Sequence, residues 1–114
     1  MIDLLVDKKY FDAIMAGTKT AEGRINSPNF KVLKPGMPIA FTCASNSNKK
    51  VICEIIAINS YPDFKTMLKK EGLSNMLPGI KDLEIGVSIY ESFHGYKQAV
   101  KKDGAIAIRI KLNV

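Results

Sequence analysis

The stretch Gly17-Thr18-Lys19-Thr20-Ala21-Glu22-Gly23-Arg24 places a lysine, a glutamate and an arginine within six residues, directly after a short amphipathic segment that ends in glycine. Of the 17 basic residues, only Arg24 and Arg109 are arginine and the other 15 are lysine, so lysine is this chain's ordinary carrier of positive charge. An arginine at position 24 points to a need for guanidinium geometry. Its planar fork clamps a carboxylate or phosphate with two parallel hydrogen bonds, whereas an ammonium acts as a point charge. Gly17 sits where a left-handed helix cap belongs, and a strand is expected from about Thr18 or Thr20 to Ile25. Alternation along that strand puts Thr20, Glu22 and Arg24 on one side, and Lys19 can join them only from the turn. If the three charges converge in a cleft, two cations around one anion leave a net positive charge that suits a phosphate or another electron-rich ligand. At about 4 Å and an effective dielectric near 20, each opposite pair is worth roughly 4 kcal/mol, which keeps Glu22 ionised and makes it a poor general acid. Lys19 feels opposing influences from Glu22 and Arg24, so its readiness to act as a base stays open. The other arrangement these residues allow is a solvated Glu22–Arg24 pair on a strand surface, worth well under about 1 kcal/mol.

Outward from this stretch, strand and helix signals alternate. Ile2 to Val6 reads as a strand, Asp7 as an N-cap, and Lys8 to Ala16 as a helix with Phe11, Ile14 and Met15 facing inward. Asn26 to Asn29 reads as a loop. Pro35-Gly36 forms a turn before a strand over Ile39 to Ala44, and the hairpin partner of that strand runs from Val51 to Asn59. Pro62 opens a helix to about Lys70, with Phe64, Met67 and Leu68 on its apolar side, and Gly72 stops it. Asp82 caps a last helix. Leu83, Val87 and Tyr90 form one apolar stripe on it and Ile85, Ile89 and Phe93 another, so both sides are expected to be largely covered. Ala105 to Leu112 closes as a strand with Ile106, Ile108, Ile110 and Leu112 alternating inward.

Cys43 and Cys53 lie symmetrically about Asn48 and are placed to face each other across the hairpin. A disulfide there competes with the commoner state of two cysteines in a cytosolic chain, that of small buried hydrophobes. One histidine and two cysteines at unsuitable spacing supply no structural zinc site, so no metal is expected, a carboxylate-built site aside. Tyr90 and His94, four residues apart, share a helix face and are candidates to border the cleft. As the only histidine, His94 is the one available for imidazole proton transfer, against the plainer role of a capping or surface residue. With no tryptophan and 8% aromatic residues, platforms for stacking on single-stranded bases are few.

Gly17, Lys19, Glu22 and Arg24 match the G-x-K-x-x-E-x-R pattern of the ASCH family, small domains similar to the RNA-binding PUA domains. The segment Asp7 to Met15 resembles that family's first helix. Phe30 to Phe41 with Lys34-Pro35-Gly36, then Met76-Leu77-Pro78-Gly79, Ile89-Tyr90-Glu91-Ser92-Phe93 and a final strand after Gly104 extend the resemblance over nearly the whole chain. It implies an α+β fold, a PUA-like small mixed β-barrel with flanking helices, built by residues 1–114 as one domain. It also implies a cleft that receives RNA, a nucleotide or a nucleoside, with Lys19, Thr20, Glu22, Arg24, Asn75 and Tyr90 as ligand-binding residues and no cofactor.

Length and composition agree with one globular domain: 114 residues can bury roughly two-thirds of their unfolded surface. With 46% apolar and 25% charged residues, a disordered tail is excluded as the main character of the chain. A formal charge of +6 and a pI near 9.4 make a polyanion a natural partner. The pairs Lys8-Lys9, Lys49-Lys50, Lys69-Lys70 and Lys101-Lys102 either meet on one basic face or disperse as solubilising charge. No apolar stretch approaches the length of a membrane span, and the N-terminus carries no secretory signal, so a cytoplasmic protein is expected, with no membrane partner.

Three functional classes follow. In a binding module, Lys19 and Arg24 hold a phosphate or base edge while Glu22 orients them or accepts a hydrogen bond from an amino group, and the basic surface adds salt-dependent affinity. In an enzyme, Lys19 and Glu22 are the catalytic candidates. Some small bacterial ASCH members, similar to this chain in size, hydrolyse N4-acetylcytidine with the motif lysine, a threonine where this chain has Glu22, and a glutamate before an Asn-Met pair. Asn75-Met76 is present here, but Ser74 precedes it, so Glu22 or Glu71 would have to supply the missing group. Ribonuclease action is a related variant that lacks an evident base. The third class is a protein-interaction domain.

Overall fold

A computed structural model of the protein describes residues 1–112. Its elements run β1 (Asp3–Val6), α1 (Lys8–Ala16), β2 (Ala21–Ile25), a 3-10 turn (Pro28–Val32), β3 (Pro38–Cys43), β4 (Asn46–Tyr61), α2 (Phe64–Glu71), α3 (Leu73–Met76), α4 (Leu83–Glu91), α5 (Tyr96–Asp103) and β5 (Ala105–Leu112). One five-stranded sheet has the order β1-β3-β4-β5-β2. β1 runs parallel to β3 and every other pair is antiparallel. β4 is long enough to pair with β3 along its first part and with β5 along its second. The extra residue Ile56 bulges it between the pairs Ile55–Ile110 and Ala57–Arg109, which increases the local twist. The sheet curls into a half-barrel whose edge strands, β1 and β2, face each other across an open seam.

The alternation along β5 serves two cores. Ile106, Ile108 and Ile110 bury inside the curl with Val6, Phe11, Ile14, Ile39, Phe41 and Ile55. Ala105 and Ala107 point the other way, where their small side chains leave room for Phe64, Met67, Leu68, Met76 and Tyr90 of the helical layer. Each large apolar side chain so buried contributes about 1.5–3 kcal/mol. Asp63 accepts the Thr66 N–H at 2.7 Å to start α2, and Asp82 accepts those of Glu84 and Ile85 to start α4. Gly17 ends α1 in the left-handed conformation, φ 79°, with its N–H on the carbonyls at the helix end.

Several boundaries differ from the sequence reading for local reasons. β2 begins at Ala21 because the N–H groups of Thr18 and Lys19 both return to the Ala13 carbonyl and complete the turn after α1. Met15 is 51% exposed, since Phe11 and Ile14 fill the inner stripe and Met15 lies about 100° further round the helix. α2 starts at Phe64, one residue after its Asp63 cap, and Pro62 stays outside it. On α4 the second stripe is covered only at Ile89, which packs against the helical core: Ile85 is 53% exposed, and Phe93, beyond the helix end, is 40% exposed. α3 and α5 are helices that periodicity did not reveal. Cys43 sits opposite Asn46 and Cys53 opposite Ile39, so the two thiols do not face each other, and both are free and buried. The lysine pairs stand exposed on α1, β4, α2 and α5. Among the described residues, no helix is long and apolar enough to cross a membrane.

Candidate functional site

β2 sends Ala21 and Ile25 into the helical core and turns Glu22 and Arg24 toward the seam. Lys19 reaches the same place from the turn after α1. Its Nζ donates to the Ala21 carbonyl at 2.8 Å and to the Met76 carbonyl on α3, and lies 3.1 Å from Glu22 Oε1. Arg24 Nε donates to Glu22 Oε2 at 2.8 Å, and its Nη2 crosses the seam to the Leu5 carbonyl of β1 at 2.7 Å. Glu22 thus bridges two cations, one on each carboxylate oxygen. Lys19 is 2% and Glu22 7% exposed, so this is an interior cluster and the solvated surface pair is ruled out.

Burial penalises the Glu22 carboxylate, but Lys19 and Arg24 outweigh it and hold its pKa below the ordinary value of 4.5. Burial also opposes the charge on Arg24, and Glu22 more than restores it. For Lys19, burial pulls the pKa below that of a free lysine, against the attraction of Glu22. The three acceptors around Nζ, two carbonyls and a carboxylate, match the three N–H donors of an ammonium, and a neutral amine would leave its lone pair facing one of them. The arrangement therefore favours a charged, immobilised lysine.

A cleft of about 290 Å³ opens along the seam. Leu5, Val6 and Asp7 line one lip, Tyr10 and Lys19 the α1 side, Glu22, Gly23 and Arg24 the floor, and Leu77, Tyr90, Phe93, His94 and Tyr96 the helical side. Gly23 is fixed by packing: a Cβ there would lie 2.7 Å from both Met67 Cε and Tyr90 Oη. Phe64 stacks between Tyr90 (4.9 Å, 12°) and Tyr96 (5.9 Å, 11°), which anchors the helical wall. Burial, with Glu22 nearby, raises the Tyr90 phenol well above its ordinary range, so its hydroxyl keeps its proton and can donate.

The structure thus brings Lys19, Glu22, Arg24 and Tyr90 together, with His94 exposed at the mouth. It does not bring Thr20 or Asn75 into the cleft. Thr20 lines a separate hollow behind α1, with its N–H on the Asn75 carbonyl and its own carbonyl accepting from Ile110. Asn75 is exposed, and its Nδ2 donates to the Glu71 carbonyl at 2.9 Å. The α3 segment touches the site only through the Met76 carbonyl and Leu77. Glu71 belongs to another network, where Tyr61 Oη and Asn59 Nδ2 donate to Oε2 and Arg109 Nε lies 3.7 Å from Oε1. Sequence reasoning missed Leu5, Tyr10, Gly23, Phe93 and Tyr96 as lining residues. The one available signal was a glycine wedged between two charged residues of a strand. Among the described residues, no group of three or more His, Cys, Asp or Glu side chains gathers as metal ligands.

The family model described as "ASCH domain" matches residues 4–113. Among solved structures, the chain is similar to the crystal structure of hypothetical protein PH0355, at 35% identity over 97% of each chain with a TM-score of 0.86. It is also similar to the solution NMR structure of protein PF0455 from Pyrococcus furiosus, at 30% identity over 97% of this chain and 96% of that one, with a TM-score of 0.74. The crystal structure of ASCH from Zymomonas mobilis shares 15% identity over 96% of this chain and 65% of that chain, with a TM-score of 0.65, a likeness of fold alone. No curated protein matches the chain in sequence. The curled sheet with its helical layer is the α+β, PUA-like architecture.

Proposed function

This chain belongs to the ASCH family, and on that footing we propose that it is an RNA- or nucleotide-binding protein whose Lys19–Glu22–Arg24 cluster forms the floor of the ligand cleft. The observation that carries this reading is a buried ionic bridge at the base of a solvent-open cavity. Burying such charges costs several kcal/mol per ion before their attraction offsets it, and a cluster that served packing alone is often matched or bettered by apolar side chains. The family's association with RNA and the formal charge of +6 point the same way.

The hydrolase alternatives, an N4-acetylcytidine amidohydrolase-like reaction or a ribonuclease, need a proton to pass through Lys19 or Glu22. Lys19 has its three donors committed to protein acceptors, and Glu22 is stabilised as the anion. Ser74 and Asn75 are exposed on α3, and Glu71 is engaged elsewhere. Binding is therefore the reading the geometry favours.

The test is fluorescence anisotropy with a labelled single-stranded RNA pool, for wild type and Arg24→Lys, at two salt concentrations. Arg24→Lys keeps the charge but loses the fork that joins Glu22 to Leu5, and about a tenfold weakening is expected, with affinity falling as salt rises. An unchanged Kd in a folded Arg24→Lys protein would overturn the role of the cluster. N4-acetylcytidine incubated in parallel is expected to remain intact, and Lys19-dependent release of acetate would instead favour the enzyme.

A further inference from the structure

Resting on the binding reading above, we infer that the cleft receives a single unpaired nucleobase, its ring against Phe93 and its edge against Arg24, Tyr90 and Glu22, with the sugar-phosphate backbone left outside. The polar groups of the floor match a base edge better than a phosphate. Lys19 has no N–H left to offer, and Arg24 has spent Nε and one N–H of Nη2 on Glu22 and Leu5. Arg24 Nη1 and the Tyr90 hydroxyl make no hydrogen bond to the described residues and stand as donors, beside an ionised carboxylate that accepts. A phosphate only accepts and carries negative charge, so at this floor it would meet Glu22. A base edge presents donors and acceptors side by side.

The walls fit a planar ring. Three of the chain's four tyrosines, Tyr10, Tyr90 and Tyr96, line the cleft. Phe93 stands nearly perpendicular to Tyr90 (81°) and Tyr96 (77°), outside their stack with Phe64, and is partly uncovered at the mouth. Leu5, 63% exposed, lines the β1 lip of the same cleft. At about 290 Å³ the cavity is at the lower end of small-molecule sites, room for one base or nucleoside and too little for a helix of paired RNA. Exposed Lys9, with Nζ 5.3 Å from the ring centroid of the cleft-lining Tyr10, supplies a positive charge near that wall.

The experiment compares wild type, Phe93→Ala and Phe93→Leu against a short single-stranded RNA of mixed sequence, an RNA of the same length with abasic riboses, and the four free nucleosides. Anisotropy competition gives affinities, and amide shifts of Gly23, Arg24 and Phe93 report entry into the cleft. The expected result is that abasic RNA binds at least about tenfold more weakly, nucleosides shift those amides, and Phe93→Ala loses about five- to 150-fold in RNA affinity, the range for removing one base–aromatic stack. Phe93→Leu, which keeps apolar bulk, should also bind more weakly than wild type. Equal binding of intact and abasic RNA with both variants at wild-type affinity would overturn the base-in-cleft inference while RNA binding stands. No binding of RNA or nucleosides by the wild type would overturn both readings.

Discussion

Two glutamates in this molecule are nearly buried beside an arginine, and they are held in opposite ways. Glu22 contacts a buried lysine and a partly buried arginine directly, at 3.1 and 2.8 Å, on the wall of a cavity. Glu71, with a side chain 5% exposed, takes its hydrogen bonds from the neutral groups of Tyr61 and Asn59, while its arginine, Arg109, is half-exposed and 3.7 Å away. The Glu71 arrangement shows what this fold uses when a carboxylate at the junction of α2, β4 and β5 has only to be satisfied: neutral donors already present on the sheet. At Glu22 the fold instead carries a second buried charge, Lys19, which has to be desolvated as well. The buried cation lies beside an open cleft at Glu22 and has no counterpart at Glu71, and the difference between the two glutamates can be measured.

The largest expected effect is on stability. Glu22→Gln leaves Lys19 and Arg24 buried without their counter-ion and should cost about 3–5 kcal/mol in urea unfolding. Glu71→Gln keeps an acceptor for Tyr61 and Asn59 and should cost about 1–3 kcal/mol. Equal losses would erase the contrast. The next effect is on acid stability. The folded-state pKa of Glu22 lies below 4.5, so its contribution is present above pH 4.5 and is lost as pH falls through the folded value. Melting temperature measured from pH 6 to pH 3 should therefore fall more steeply for wild type than for Glu22→Gln, and parallel curves would mean that the bridge does not respond to protonation. The smallest effect is that of Tyr61→Phe. The Tyr61 phenol, pushed up to about 12 by burial and by Glu71, is a proton donor at any ordinary pH. Losing that hydrogen bond should cost about 1 kcal/mol and leave RNA affinity unchanged, because Tyr61 lies outside the cleft.

Much of this frame was legible in the sequence, for identifiable reasons. β5 alternates isoleucine with small or polar residues, α1 is bounded by Asp7 and Gly17, and Arg24, one of two arginines among 15 lysines, does join the Lys19–Glu22 cluster. What escaped depends on contacts between distant segments. The Arg24–Leu5 bond ends on a backbone carbonyl, which has no side-chain signature. α4 is apolar on both sides, so periodicity could not say which stripe meets the core, and Phe93 was read as covered when it stands at the mouth of the cleft. α5, Tyr-Lys-Gln-Ala-Val-Lys-Lys-Asp, buries only Val100 and carries too few apolar residues to announce itself. The first residues of β4 are polar and exposed, which mimics a turn and moved the apparent hairpin centre, and with it the pairing of Cys43 and Cys53.

The open seam has a consequence for how copies of this protein behave at high concentration. An unpaired strand edge is a template on which another chain can build, and β1 and β2 both present one. Arg24 caps a carbonyl of β1 from β2, and with Glu22 it sets inward charge on the second edge. An incoming strand would have to break that link and cover two ionised side chains. The residues that line the cleft between the two edges therefore also guard those edges against aggregation.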